Sequence, residues 1–346
     1  MFKIGNHTLG SDSPPFIIAE LSANHNGSLV KAKDAVKSAK KAGAHAVKIQ
    51  TYTPETMTLD SRKKDFLIQD GLWAGYSLYE LYDQAHTPYA WHEDLFVFAS
   101  QLNMTLFSSV FDETSVDLLE KLDAPAYKIA SFELTDIPLI DYVAKTKKPV
   151  LLSTGMSTLE EIGEAVETVK SNGNNSILLF HCVSSYPASV IESNIRNIEF
   201  LQKEFGLPVG LSDHTICQTA AIAATALGAV AIEKHFKVRK NDIGPDSSFS
   251  ISPSELRSLV KKTNDISQAL MSKKFGRSAS EESNIRFRRS LYFVKDKKYG
   301  DTVKLSDVRR IRPGFGLNPK HLDDIIGRKL TKDVERGDPV TWDVIE

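Results

Sequence analysis

Val209-Gly210-Leu211-Ser212-Asp213-His214 runs from apolar to polar, and Val230-Ala231-Ile232-Glu233-Lys234-His235 repeats the pattern one connection further on. Each is an apolar run of strand length that ends in polar or ionisable residues where a loop should begin. Six earlier segments do the same. They are Phe16-Ile17-Ile18-Ala19 ending at Glu20, Ala46-Val47 at Lys48, Thr105-Leu106-Phe107 at Ser108-Ser109, Ala126-Tyr127 at Lys128, Val150-Leu151-Leu152 at Ser153-Thr154, and Ile177-Leu178-Leu179-Phe180 at His181. Between most pairs lies helical periodicity, as in Lys31 to Ala42, where Ala32, Ala35, Val36 and Ala39 share one face and lysines line the other. Strands alternating with helices imply parallel pairing. Eight such units predict an α/β fold, a (β/α)8 TIM barrel, whose C-terminal strand ends converge on one catalytic rim.

The chain of 346 residues is long enough for this barrel and a second, smaller domain. A net charge of −1 and dispersed basic residues argue against nucleic acid or an acidic membrane surface as partner. No apolar run approaches the roughly 20 residues that cross a bilayer, and no basic, apolar-cored leader opens the chain, so a soluble cytoplasmic protein is expected. The two cysteines, Cys182 and Cys217, are too few for a disulfide framework. Cys182 reads as a small buried residue.

After the eighth strand, Pro253 to Leu270 is predicted to form a helix capped by Ser252 or Ser254, completing a barrel domain over 1–270. Residues 271–289 turn polar and charged and read as a linker. The short apolar pieces Ser290-Leu291-Tyr292-Phe293-Val294, Val303-Lys304-Leu305, Val308, Ile311 and Pro339-Val340-Thr341 then form a turn-rich domain over 290–346. At the other end, Phe2, Ile4 and Leu9 around Gly5-Asn6 suggest a small hairpin closing the barrel floor.

His214 and His235 end the predicted seventh and eighth strands and should stand side by side, where neutral imidazoles make two ligands for a divalent ion. The remaining positions would be open to water and substrate oxygens. Asp246 could orient a ligand histidine or reach the ion through water. Lys48 and Lys128, flanked by Ser109, Ser131, Ser153, Thr154 and Ser212, make a cradle for phosphate and carboxylate. One of those lysines could instead be a Schiff-base nucleophile, as in class I aldolases. Glu20 is a candidate base or orienting group, or a buried structural carboxylate. The long connection from Thr53 to Tyr89 could form a substrate wall from Tyr52, Trp73, Tyr76, Tyr79 and Tyr82 around it, or simply pack helices.

The strings Ile18-Ala19-Glu20, Val47-Lys48-Ile49-Gln50, Tyr127-Lys128-Ile129-Ala130-Ser131, Ser153-Thr154-Gly155-Met156, Leu211-Ser212-Asp213-His214-Thr215 and Glu233-Lys234-His235-Phe236 resemble the sialic acid synthase family. Arg289-Ser290-Leu291-Tyr292 and Arg312-Pro313-Gly314 resemble the antifreeze-like, or SAF, domain that ends those enzymes. The resemblance implies condensation of phosphoenolpyruvate with an N-acylated amino-deoxy sugar, giving a nine-carbon 2-keto acid and phosphate. It implies that His214 and His235 hold Mn²⁺ or Mg²⁺, and that Lys48, Lys128, Ser131, Ser153 and Ser212 bind phosphoenolpyruvate. Ser109 stands where the family often has threonine. Glu20 would position a water, Tyr186 would contact substrate, and Arg312 would arrive from the small domain of a partner chain, implying a domain-swapped homodimer.

Two positions depart from the family pattern: Ser184 replaces an asparagine contact, and Val110 replaces a proline. Further strings resemble the pseudaminate-forming branch, namely Glu20-Leu21-Ser22-Ala23-Asn24-His25, Gln50-Thr51-Tyr52-Thr53-Pro54, Gly71-Leu72-Trp73 and His86-Thr87-Pro88-Tyr89. That branch implies 2,4-diacetamido-2,4,6-trideoxy-L-altrose as acceptor. The neuraminate and legionaminate branches, using mannose-type acceptors, are the nearest alternative; a carbohydrate-binding or ice-binding module on an inactive barrel is the alternative from another class.

Overall fold

Eight parallel strands close on themselves in the computed structural model, which describes residues 2–10, 12–271 and 275–346. A hairpin of β1 (Phe2–Ile4) and β2 (His7–Leu9) comes first. The barrel strands are β3 (Phe16–Glu20), β4 (Ala46–Thr51), β5 (Thr105–Val110), β6 (Tyr127–Ile129), β7 (Val150–Ser153), β8 (Ile177–Cys182), β9 (Val209–Asp213) and β10 (Ala231–His235). They pair in chain order, and β10 returns to β3 to close the ring. All eight expected strands and their parallel pairing are therefore present.

The period of two along each strand sorts its side chains. Ile17, Val47, Ile49, Leu106, Leu152, Leu179 and Ile232 face outward into the main core with the helices. Ile18, Phe107, Leu151, Leu178 and Phe180 face inward and fill the lower barrel together with Phe2, Ile4 and Leu9 of the hairpin. The hairpin is thus the barrel floor, with Phe2 opposite Leu9 and the chain reversing at Gly5 in the left-handed region (φ 52°). Each of these large side chains stabilises the fold by about 1.5–3 kcal/mol when fully buried. Gly210 faces inward where the wall is close-packed. A β-carbon there would lie 2.7 Å from the Ala231 carbonyl oxygen and 2.8 Å from Phe180, so only glycine lets the two strands and the ring coexist.

The helix Leu29–Ala42 buries Ala32, Ala35, Val36, Ala39 and Ala42, and its lysines stay outside. Ser28 accepts a hydrogen bond from the Lys31 amide at its start, and Gly43 (φ 96°) ends it. The last barrel helix is Pro253–Leu270, capped by Ser252, whose amide and hydroxyl both donate to Glu255. No helix among the described residues is long and apolar enough to cross a membrane.

The chain divides into two compact units, Met1–Met271 and Ser272–Glu346. Of the stretch expected as a linker, residues 272–274 lie outside the described residues. The rest is more ordered than its composition suggests, with a helical turn Ala279–Glu282 and a 3-10 turn Ser283–Phe287. The Ser278 amide and hydroxyl both donate to Glu281, so a capping box starts a helix where no apolar period announces one. In the second unit β11 (Ser290–Phe293) pairs antiparallel with β12 (Val308–Ile311). Leu291, Phe293, Val303, Ile325, Leu330, Val340 and Val344 form its core. Leu305, expected within a strand piece, instead opens a 3-10 turn because Asp307 accepts from the Lys304 amide.

Candidate active site

Above the apolar floor the inward positions turn polar, and the barrel register brings them together. Glu20 lies beside both His235 and Lys48, Ser109 beside both Gln50 and Lys128, and Ser212 beside Glu233. Lys48 is 4% exposed. Its ammonium donates to Ser109 Oγ at 2.9 Å and sits 3.1 Å from Glu20 Oε2 and 3.5 Å from Glu233 Oε2. The Lys128 ammonium donates to Ser153 Oγ and lies 4.0 Å from Glu233 Oε1, which also accepts from Ser212 Oγ at 2.8 Å. Two ammonium groups and two carboxylates therefore form one buried layer. Gln50 completes it by donating its amide to Glu20 Oε1 at 2.9 Å.

Burial disfavours every charge in this layer, and the neighbours decide which groups keep theirs. Burial pushes Glu20 up to about 7, against the pull of Lys48 and with the push of Glu233. Glu233 is driven up by burial too, but the ammonium groups of Lys48 and Lys128 hold it below its ordinary value. Burial lowers Lys128, whereas Glu20 and Glu233 keep Lys48 above its ordinary value despite its burial. Glu233 is thus the standing counter-charge, and Glu20 is the carboxyl that can take or release a proton near neutrality.

His214 and His235 stand as neighbours, ring centroids 5.5 Å apart. His214 Nδ1 lies 2.8 Å from the Val183 carbonyl oxygen, which can only accept, so Nδ1 carries the hydrogen and Nε2 presents its lone pair. His235 Nδ1 is buried without a hydrogen-bond partner, 3.9 Å from Asp246 Oδ2. Burial holds both rings neutral, His214 down to about 4 and His235 well below its ordinary value. Two neutral imidazoles with available lone pairs, one of them fixed in tautomer by a carbonyl, are a donor set that suits a divalent cation. Among the described residues no group of three or more His, Cys, Asp and Glu is gathered as a cation cage, so the pair would leave other positions to water and substrate.

Asp246 is buried and accepts from the Ala23 amide at 3.3 Å, and burial raises it. Tyr186 lies against the histidine pair, its ring 4.4 Å from His214 and 6.2 Å from His235, with Phe249 4.8 Å behind His235. Ser131 Oγ is 2.9 Å from Cys182 Sγ, and Ser184 Oγ is 3.9 Å from the same sulfur. Gly155 closes this corner, since a β-carbon on it would meet Ser184, Ser131 and Cys182. The barrel residues expected at the site are therefore grouped at one rim, in a charged layer and a histidine layer. Arg312 belongs to the other unit, exposed just after β12.

Several residues that line this site were not singled out from the sequence. Glu233 and Gln50 carry a usable signal, because each lies two residues along a strand from a chosen residue, His235 and Lys48, and so shares its face. Glu133, in the 3-10 turn Ser131–Glu133, has a buried unpartnered oxygen and is pushed up to about 7 by burial, with Lys128 opposing. Asp213 and Lys234 point the other way and form a buried 2.9 Å ion pair on the outer wall, behind the two histidines. Cys182 is buried as expected, but within this site. Of the aromatics expected to wall the sugar, Tyr79 instead donates to Glu55, Tyr82 meets Tyr52 edge to face at 5.8 Å, and Tyr76 is exposed. Trp73 lies 5.7 Å from Tyr186, and Tyr52, buried just past β4, has its hydroxyl raised by burial and by the nearby charges of Asp246 and Glu20, so these two aromatics border the site.

Comparison with known proteins matches the NeuB family over residues 35–275 and the SAF domain over residues 288–346. The chain is 43% identical to a pseudaminic acid synthase of Campylobacter jejuni subsp. jejuni, covering 97% of each chain. It is 41% identical to a pseudaminic acid synthase of Helicobacter pylori, covering 96% of this chain and 98% of that one. Among solved structures, the N-acetylneuraminic acid synthetase of Leptospira borgpetersenii in complex with citrate is 31% identical, with a TM-score of 0.74 over 83% of this chain and 95% of that one.

Proposed function

The chain belongs to the NeuB family, and on that premise we propose that it joins phosphoenolpyruvate to 2,4-diacetamido-2,4,6-trideoxy-L-altrose, releasing phosphate and a nine-carbon 2-keto sugar acid. The observation that carries this reading is the buried layer of Lys48, Glu20, Glu233 and Lys128 beneath two neutral imidazoles. Such a layer suits a small dianionic acid on one side and a carbonyl on the other. The acceptor follows the pseudaminic acid synthases of similar sequence.

Lys48 with Ser109, and Lys128 with Ser153, Ser131, Ser184 and Ser212, hold the carboxylate and phosphate by charge-assisted hydrogen bonds. Tyr186 and Asp246 bound the side where the open-chain sugar presents its aldehyde. The enol carbon of phosphoenolpyruvate attacks that aldehyde carbon. A carbon–carbon bond forms, and the aldehyde oxygen takes a proton to become a hydroxyl. Glu20 positions a water for the oxocarbenium carbon left behind and accepts its proton, a task matched by a carboxyl titrating near 7. The tetrahedral adduct then loses phosphate by carbon–oxygen cleavage, its hydroxyl proton passing to the departing phosphate oxygen and leaving the ketone. Mn²⁺ or Mg²⁺ held by His214 and His235 would supply polarisation of the aldehyde oxygen. The partner subunit's Arg312 completes the site in a domain-swapped homodimer, a reading supported by the resemblance of Arg312-Pro313-Gly314 to the family's small domain.

The test is phosphate release from phosphoenolpyruvate with Mn²⁺ in the presence of the altrose sugar, N-acetylmannosamine or a 2,4-diacetamido mannose analogue. Preference for altrose is expected. Preference for a mannose sugar would move the assignment to a neuraminate or legionaminate synthase, and silence with all three would return the binding-module alternative. His235→Ala is expected to lose most of the bound Mn²⁺, read by calorimetric titration of the metal into chelator-stripped protein. Unchanged affinity would remove His235 from the ligand set.

A further inference from the structure

Within the long connection after β4, residues 67–77 fold into a hairpin arm. Leu67 bridges Ser77, the Ile68 amide donates to Tyr76 O at 2.9 Å, and the Gly75 amide returns to Ile68 O at 3.0 Å. Gly71 (φ 83°) and Gly75 (φ 96°) take the left-handed conformations its turn needs. Glu80 anchors the base by accepting from the Ser77 amide at 2.9 Å. Trp73, near the tip, donates its indole N–H to the Pro245 carbonyl at 3.1 Å, 172 residues along the chain. Asn26 pins the same segment through its side-chain amide on Ile243 O at 2.9 Å. The arm is therefore latched to the loop that carries Asp246.

The latch leaves Trp73 only one thing to offer a ligand. Its single donor is used, and what remains is a half-buried aromatic face one ring beyond Tyr186, which itself lies against His214. A sugar whose aldehyde meets the histidine pair would extend its far end toward that face. We infer that Trp73 sets acceptor preference, its indole packing on the C6 methyl and C4 acetamido methyl of a 6-deoxy diacetamido hexose. This rests on the acceptor proposed above. A 6-hydroxyl in the same place would lose water and find no partner on the ring. A single apolar group of this kind discriminates on the order of 10–200-fold.

The experiment compares 2,4-diacetamido-2,4,6-trideoxy-L-altrose with its 6-hydroxy counterpart as acceptors for the full-length enzyme, Trp73→Ala and Trp73→Phe. The wild type should favour the 6-deoxy sugar. In Trp73→Ala that preference should fall about tenfold or more through the sugar KM, while the KM for phosphoenolpyruvate stays within about twofold. Trp73→Phe, which keeps a ring but no N–H, should retain most of the preference. An unchanged ratio in Trp73→Ala, or parallel losses for both sugars and phosphoenolpyruvate, would overturn the inference. Failure of the acceptor reading shows separately, in the wild type. If that enzyme uses N-acetylmannosamine instead, the same variants are compared on it and its 6-deoxy counterpart, and a wild-type preference for the 6-hydroxyl also overturns the apolar wall. If no sugar turns over, adding the altrose sugar should still change the fluorescence of the wild type more than that of Trp73→Phe, and equal changes would sink the contact.

Discussion

Lys48→Met should lower kcat/KM for phosphoenolpyruvate by about a hundred- to a thousandfold, the scale of losing one preorganised donor in a buried site. Methionine keeps the length and apolar stem of the side chain but leaves Glu20 and Glu233 without the ammonium that lies 3.1 and 3.5 Å from them. Breaking a buried pair from one side costs about 3–5 kcal/mol when the other charge is stranded. Glu20 has an escape, since burial already holds it near 7 and loss of Lys48 raises it further. Its folded pKa then lies still further above the ordinary 4.5, so its contribution to stability is intact below 4.5 and is lost as pH rises through the folded value. The stability deficit of the variant should therefore be small near pH 4.5 and largest above neutrality. Thermal midpoints of both proteins across that range, with kcat/KM at one pH, check it. Turnover within tenfold of wild type would remove Lys48 from the substrate cradle.

Arg312→Ala should lose a similar factor while leaving the barrel's melting and its Mn²⁺ affinity unchanged, because Arg312 is exposed and belongs to the other unit. The stronger form of the test mixes the two dead variants. In a domain-swapped homodimer each site takes its barrel from one chain and Arg312 from the other. A mixed dimer of Lys48→Met with Arg312→Ala then contains one intact site. After subunit exchange, equal mixing should restore about a quarter of wild-type activity, since half the dimers are mixed and each has one working site of two. No recovery, with exchange verified by a tag on one variant, would mean that each chain supplies its own arginine, and an active Arg312→Ala protein on its own would mean that none is needed.

Much of the site was legible before folding because a barrel makes it a matter of strand position. Lys48, Lys128, Ser153, His214 and His235 each end an apolar run, and parallel register then forces them to one rim. The same logic reaches Glu233 only when the period of two is applied back from the strand end at His235, and Gln50 only when it is carried past Lys48 to where β4 really ends, steps the strand-end pattern does not prompt. It also separates Asp213 and Lys234, which look equally functional in sequence but pair on the outer wall.

Local alternation and capping therefore determined the eight strands, the floor hairpin, the last barrel helix and the identity of the rim residues, because each depends on neighbours a few positions away. What only the tertiary structure decided is which charges survive burial and which loop residue meets the site. Glu20 and Glu233 are the same residue type, and they part company because Glu233 lies within reach of both ammonium groups and accepts from Ser212, whereas Glu20 pairs with Lys48 alone. Trp73 was one of five aromatics with equal claim in sequence, and only the folded chain latches it to Pro245, 172 residues away, with its ring against Tyr186. No local pattern encodes such a contact, since closure of the barrel brings those two loops together.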